Sequence, residues 1–150
     1  MRKLLGAVIL ALLAGAGAYA DSAKTADPEI TALYFFQQGC IYCARFEAGP
    51  LKDQTVLGEL KTLNFVRVNI SSNAPVDPGK GGKPQQQLAR EQGVDIYPTL
   101  VFKTSEGNEI ARIRGFFETR DFLEMLKYVT RKHYVEESFE KYLERLARGG

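Results

Sequence analysis

The stretch Ile30–Glu47, ITALYFFQQGCIYCARFE, decides how this chain is read. Ile30 to Phe36 is apolar apart from Thr31, the pattern of a strand buried on both faces. Gly39 then breaks the chain. From Cys40 onward, Ile41, Ala44, Arg45 and Phe46 read as a helix that Gly49-Pro50 ends or kinks. Cys40 and Cys43 are the only 2 cysteines in the sequence, so the question is what a pair spaced by two residues does at the junction of a buried strand and a helix.

Three chemistries fit the pair. As a structural staple, a disulfide closing so short a loop removes little unfolded-state entropy, roughly 2 kcal/mol before strain is counted. As a metal site, the two thiols need further ligands to close a tetrahedral zinc shell, and the chain offers only the single His133, far away among helical residues. That histidine reads as an ordinary surface or helix-end residue. As a redox dithiol, the pair gains from its position. A helix N-terminus presents free N–H groups and the positive end of the helix dipole, which stabilise a thiolate at Cys40. Cys43 lies one turn further in and more protected. An exposed nucleophile backed by a resolving thiol is what thiol–disulfide exchange through a mixed disulfide requires.

The compartment bears on all three. The chain opens MRKLLGAVILALLAGAGAYADS: Arg2 and Lys3, an apolar run from Leu4 to Ala18, then Ala18-Tyr19-Ala20, a small-x-small cleavage pattern. Residues 1–20 are therefore expected to be an export signal removed near Ala20, too short in their apolar core for a membrane span. Residues 21–28 (DSAKTADP) are expected to be a disordered lead-in and 29–150 one domain, periplasmic or otherwise exported. Cleavage removes two basic residues and no acid, leaving 18 of each sign. A formal charge of zero argues against partners recruited by charge, nucleic acid above all. One possible disulfide is not the framework of a disulfide-rich fold.

Further along, Asp53 is placed to cap a short helix to Leu60, and Asn64–Ile70 (NFVRVNI) alternates as a strand. The Gly/Pro-rich loop 71–84 contains GKGGK, which lacks the phosphate-loop spacing and runs into Pro84. A helix to about Gln92 follows, with Pro84 expected in its first turn and Gly93 as its cap. Thr99–Lys103 and Glu109–Arg114 read as a hairpin around Ser105–Asn108. Thr119 is placed to cap a helix carrying Phe122, Leu123, Leu126 and Val129 on one face. A last helix is expected from about Glu136, its Phe139, Tyr142, Leu143 and Leu146 stripe packing against the domain. This order predicts an α/β fold: a parallel strand pair joined by a crossover, an antiparallel hairpin on one edge, and helices on both faces of a four-stranded mixed sheet. Pro98, at the start of the third strand, gives up a backbone donor and marks a turn where a cis bond costs little.

Together these features resemble the thioredoxin superfamily. The matching residues are the strand ALYFF, Cys40-Ile41-Tyr42-Cys43 opening a helix, Tyr97-Pro98-Thr99 opening the hairpin, Gly115 after it and the helix from Thr119. The likeness covers about residues 28–130. A closer similarity, in the GCxYC motif, the longer loop before the third helix and the extra C-terminal helix, is to exported bacterial thioredoxin-like proteins, including those associated with sulfur oxidation. The resemblance implies that Cys40 attacks, Cys43 resolves and Pro98 is a cis-proline beside them. It implies that the backbone of Tyr97 pairs with an extended substrate. Gly39, Tyr42 and Thr99 join Tyr97 and Pro98 as expected substrate-contacting positions.

The sequence departs from thioredoxin proper in two ways. Ile41-Tyr42 replace the Gly-Pro between the cysteines, and Tyr34 stands where that family has a buried Asp that assists proton transfer from the resolving thiol. Water and Glu47 are the alternative acceptors. The implied function is an exported thiol–disulfide oxidoreductase, a monomer reducing protein disulfides with the Cys40–Cys43 pair as its only redox group. No cofactor is expected, so a partner must donate its electrons, and the resemblance implies that this donor is a membrane protein. The alternatives are a periplasmic oxidase or isomerase, or a different class altogether: a non-catalytic binding module or a thiol metallochaperone using the two sulfurs as soft ligands.

Overall fold

The computed structural model describes residues 29–77, 79 and 82–149. The expected export signal (1–20) and lead-in (21–28) lie outside the described residues. Strand β1 (Ile30–Phe36) is followed by helix α1 (Ile41–Ala48), a 3-10 turn at Pro50–Lys52 and helix α2 (Gln54–Leu60). Strand β2 (Asn64–Asn69), helix α3 (Gln85–Glu91), and the hairpin β3 (Thr99–Thr104) and β4 (Glu109–Arg114) come next. Helix α4 (Thr119–Thr130) and helix α5 (Phe139–Arg148) close the chain, joined through a 3-10 turn at His133–Val135. The sheet runs β2-β1-β3-β4, with β1–β2 parallel and the other pairs antiparallel. This is the four-stranded mixed sheet the sequence predicts.

Alternation along β1 divides the core in two. Ile30, Ala32 and Tyr34 face α1, α2 and α4, where they meet Phe46, Val56, Leu60, Phe122 and Leu126. Leu33 and Phe35 face the other way, against Val68, Val101 and Ala89 of α3. With period-2 side chains and helices on both sides, a strand flanked on both edges reads as continuously apolar. Phe46 and Phe122 meet edge to face, ring centroids 4.9 Å apart, and lock α1 onto α4. Asp53 caps α2 as expected, its side chain accepting from Thr55 N at 2.9 Å and Val56 N at 3.1 Å.

Three local expectations are corrected. Glu118, not Thr119, is the N-cap of α4 and makes no side-chain capping bond. Pro84 precedes α3 as its N-cap instead of lying in its first turn. The last helix begins at Phe139, capped by Ser138, because His133–Val135 is spent on the 3-10 turn that turns the chain back over α4. Of the expected α5 stripe only Tyr142 is fully buried; Leu143 and Leu146 each remain 40% exposed. His133 lies on that turn, its ring 4.9 Å from the Tyr142 ring.

Tyr142 is the pin that holds α5. Its ring packs against Tyr128 and Phe139, and its hydroxyl donates to Glu124 Oε2 at 3.1 Å. Burial, then the hydrogen bond and charge of Glu124, push its pKa up to about 12. An unfolded tyrosine titrates near 10, so the neutral phenol favoured by the fold contributes stability that is intact below about pH 10 and fades as pH rises through about 12. Urea midpoints of the wild type and Tyr142→Phe should therefore differ at neutral pH and converge above about pH 10. Parallel decline of the two would show that Tyr142 is not the alkaline-sensitive contact.

Candidate active site

The turn after β1 is built around Gly39, whose φ of +81° is open to glycine and costly to other residues. It delivers Cys40 as the N-cap of α1 in extended conformation. Cys40 and Cys43 form a disulfide, their Cα atoms 5.2 Å apart. The Cys43 N–H donates to Cys40 Sγ at 3.1 Å, so the sulfur occupies the place of a capping oxygen. Cys43 is only 3% exposed, whereas Cys40 is half-buried.

The opposite jaw is the loop before β3. The Tyr97–Pro98 peptide is cis, and Tyr97 O lies 3.8 Å from Cys40 Sγ. In the disulfide this is a contact; once reduced, the thiol has an acceptor at hand. Pro98 is buried and its carbonyl accepts from Gly115 N–H at 2.8 Å, which ties this jaw to the end of β4. Gly115 itself has φ +91°. Thr99 is 1% exposed and its hydroxyl donates to Ile96 O at 2.8 Å, so its side chain braces the loop and has no face toward a substrate. Thus Gly39, Cys40, Cys43, Tyr97 and Pro98 are brought together, and the exposed ring of Tyr42 stands beside them.

Two features escaped the sequence reading. Ile96, 43% exposed, precedes Tyr97 in the opposite jaw, and Ile41 and Tyr42 are exposed between the two cysteines. Isolated exposed apolar residues are common, but exposed apolar residues on both segments that flank a reactive bond suit a contact surface. The second is the part of Arg67: Tyr34 and Glu47 stand out in the sequence, their link through Arg67 does not. Tyr34 is fully buried, and its hydroxyl donates to Glu47 Oε1 at 3.1 Å; Arg67 Nη2 donates to the same oxygen at 2.6 Å. Register decides this meeting, because Tyr34 on β1 is the partner of Arg67 on β2. A shallow cavity of about 170 Å³ is walled by Phe36, Gly39, both cysteines and Glu47. Among the described residues no group of three His, Cys, Asp or Glu side chains is arranged to hold a metal ion.

A CxxC disulfide at the head of a helix, opposed by a proline turn at the start of the neighbouring strand, defines a thiol–disulfide oxidoreductase of thioredoxin fold. A model of the thioredoxin-like domain matches residues 18–130, and the chain belongs to that family. It is 29% identical over 99 residues, 65% of this chain, to the thiol:disulfide interchange protein DsbD of Photorhabdus laumondii, spanning 16% of that protein's length. Among solved structures it is similar to a thioredoxin-fold protein from Helicobacter pylori, with TM-score 0.66, 23% identity, and 79% of this chain and 81% of the other covered. It also resembles the oxidised C-terminal domain of Neisseria meningitidis DsbD, with TM-score 0.54 and 22% identity over 69% of this chain and 83% of that one.

Replacement of Gly39 should show how much the turn matters. The position is open, with no heavy atom within 4 Å of an added Cβ, so Gly39→Ala introduces backbone strain without a clash. A loss of about 1–2 kcal/mol in urea unfolding is expected. An unchanged midpoint would mean that the turn relaxes without cost.

Proposed function

We propose that this chain reduces disulfides of client proteins outside the cytoplasm, cycling the Cys40–Cys43 pair between disulfide and dithiol. The observation that carries the reading is the placement of Cys40 Sγ, half-buried at the head of α1, with the Cys43 N–H on one side and the Tyr97 carbonyl on the other. In the reduced protein the helix N-terminus favours the Cys40 thiolate. That thiolate attacks one sulfur of a client disulfide, forms a mixed disulfide and expels the other sulfur as a thiolate. Cys43, deprotonated, then attacks Cys40 Sγ, forms the intramolecular disulfide and releases the second client thiolate. Two electrons pass to the client, and its two thiolates take up two protons. A second dithiol protein must return the electrons, and a membrane-embedded donor fits the exported setting read from the N-terminal sequence.

An extended client segment alongside Tyr97, with apolar side chains over Ile41, Tyr42 and Ile96, would bring its disulfide to Cys40 in line for exchange. The direction of electron flow follows from what stabilises the thiolate. Strong oxidants of this chemistry owe their potential to a stabilised reduced form. Here the dipeptide between the cysteines, Ile41-Tyr42, supplies no cation, and the N-terminus of α1 supports the Cys40 thiolate.

Two measurements test this. Equilibration of the mature protein with dithiothreitol or glutathione should place the pair near thioredoxin's potential of about −270 mV; a value near about −120 mV would make it an oxidase instead. The Cys43→Ser variant should accumulate a mixed disulfide with a client through Cys40, and Cys40→Ser should form none. Trapping by Cys40→Ser through Cys43 would reverse the assignment of the two sulfurs.

A further inference from the structure

We propose that Glu47 takes the proton of the Cys43 thiol during exchange, and that Tyr34 and Arg67 are the positioning residues that hold its carboxylate at the dithiol. The inference deepens the exchange reading above and rests on it. Cys43 and Glu47 are four residues apart on α1, one turn along the same face. Glu47 shares with both cysteines the wall of the same cavity, open to water, which gives a proton a path between thiol and carboxylate. The resolving thiol needs such help. Cys43 is almost fully buried, and burial without a charge partner disfavours a thiolate.

Glu47 is not a loose surface side chain. Tyr34 from β1 and Arg67 from β2 both donate to its Oε1, at 3.1 and 2.6 Å. A carboxylate so held still has a second oxygen with which to take a proton. The holders are themselves fixed. Tyr34 lies among Phe36, Phe46 and Phe65, with ring centroids 5.5 to 6.0 Å away. The Arg67 guanidinium lies over the rings of Phe36, at 4.7 Å, and Tyr34, at 5.3 Å. Burial, followed by the charge of Glu47, pushes the Tyr34 phenol far above its ordinary range, so it remains a donor at every pH where exchange proceeds. The groups that face Glu47 are thus one phenol, one guanidinium and the two cysteines. As a stabilising pair Arg67–Glu47 is unremarkable, with side chains 45% and 36% exposed, and pairs of that kind contribute little to folding.

The step balances as follows. The Cys43 thiol passes its proton to the Glu47 carboxylate, and the resulting thiolate attacks Cys40 Sγ of the mixed disulfide. The Cys40–Cys43 bond forms as the bond to the client sulfur breaks. The client leaves as a thiolate and is protonated by Glu47 or by water.

Stopped-flow reaction of the reduced full chain with a symmetrical nitroaromatic disulfide separates the two halves. Attack by Cys40 releases one coloured thiolate, and resolution by Cys43 releases the second. In Glu47→Gln the second phase should be at least about tenfold slower near pH 7, with the gap closing at alkaline pH where Cys43 ionises unaided, and the first phase should change little. Arg67→Gln and Tyr34→Phe should slow the same phase, Arg67→Lys should recover part of the loss, and Glu47→Gln/Arg67→Gln should be no slower than Glu47→Gln alone. A second phase unaffected by Glu47→Gln would assign the proton to water and overturn the proposal. Equal slowing at every pH would do the same, since it would report a displaced Cys43. A slow Glu47→Gln beside unaffected Arg67 and Tyr34 variants would overturn the positioning role. Release of the first thiolate by Cys40→Ser would instead sink the exchange reading itself.

Discussion

Strand β1 has neither a free edge nor an exposed face, and the chemistry of the molecule depends on that confinement. Its backbone is bonded to β2 on one side and β3 on the other, and its side chains are divided between two clusters of buried residues. A strand held on four sides ends at a fixed point. Gly39 then turns the chain within three residues of Phe36, and Phe46 anchors the helix that follows against Phe122. Cys40 Sγ is placed by core packing, with little left to the loop. Thiol–disulfide exchange needs three sulfurs nearly in line, so the rigidity of the support decides whether a bound client disulfide is productively aligned.

The opposing jaw is set independently. Pro98 is held by the Gly115 N–H, and the hydroxyl of Thr99 closes the loop onto Ile96, so both ends of the β3–β4 hairpin contribute to the position of one carbonyl. The two jaws are then brought into register by the antiparallel pairing of β1 with β3, in which Phe35 partners Thr99. The rim side chains Ile41, Tyr42 and Ile96 come one group from each jaw. A client that bridges them contacts both.

Much of this was legible in the sequence because it is written in local signals. A continuous apolar run, a glycine break and a helical pattern fixed β1, the turn and α1, and the proline before TLVFK announced the second jaw. What was missed is non-local. NFVRVN shows that Arg67 alternates with apolar residues, yet only the pairing of Tyr34 with Arg67 shows that its guanidinium reaches a helix twenty residues earlier in the chain. Periodicity places the α5 stripe against the domain but cannot say how much of a helix face finds a partner, and here the contact ends with Tyr142. The caps fall at Glu118 and Ser138 for a similar reason: several nearby polar residues can cap, and the preceding chain path selects among them.

The exchange of a strand carboxylate for Tyr34 changes more than one side chain. An acid at that position would be wholly enclosed, and ionising it would require taking a charge out of water. With a neutral phenol there, the carboxylate stands instead on α1, about a third exposed, where solvent can carry charge and proton. The cost is mobility, since a glutamate on a helix surface has many rotamers. Arg67 removes that freedom from outside the helix, and it does so only while β2 keeps its register with β1. A slip of one residue would turn Arg67 to the α3 side of the sheet and carry Val66 or Val68 into its place. The outermost strand of the sheet, remote in sequence from both cysteines, is thereby part of the apparatus that governs them.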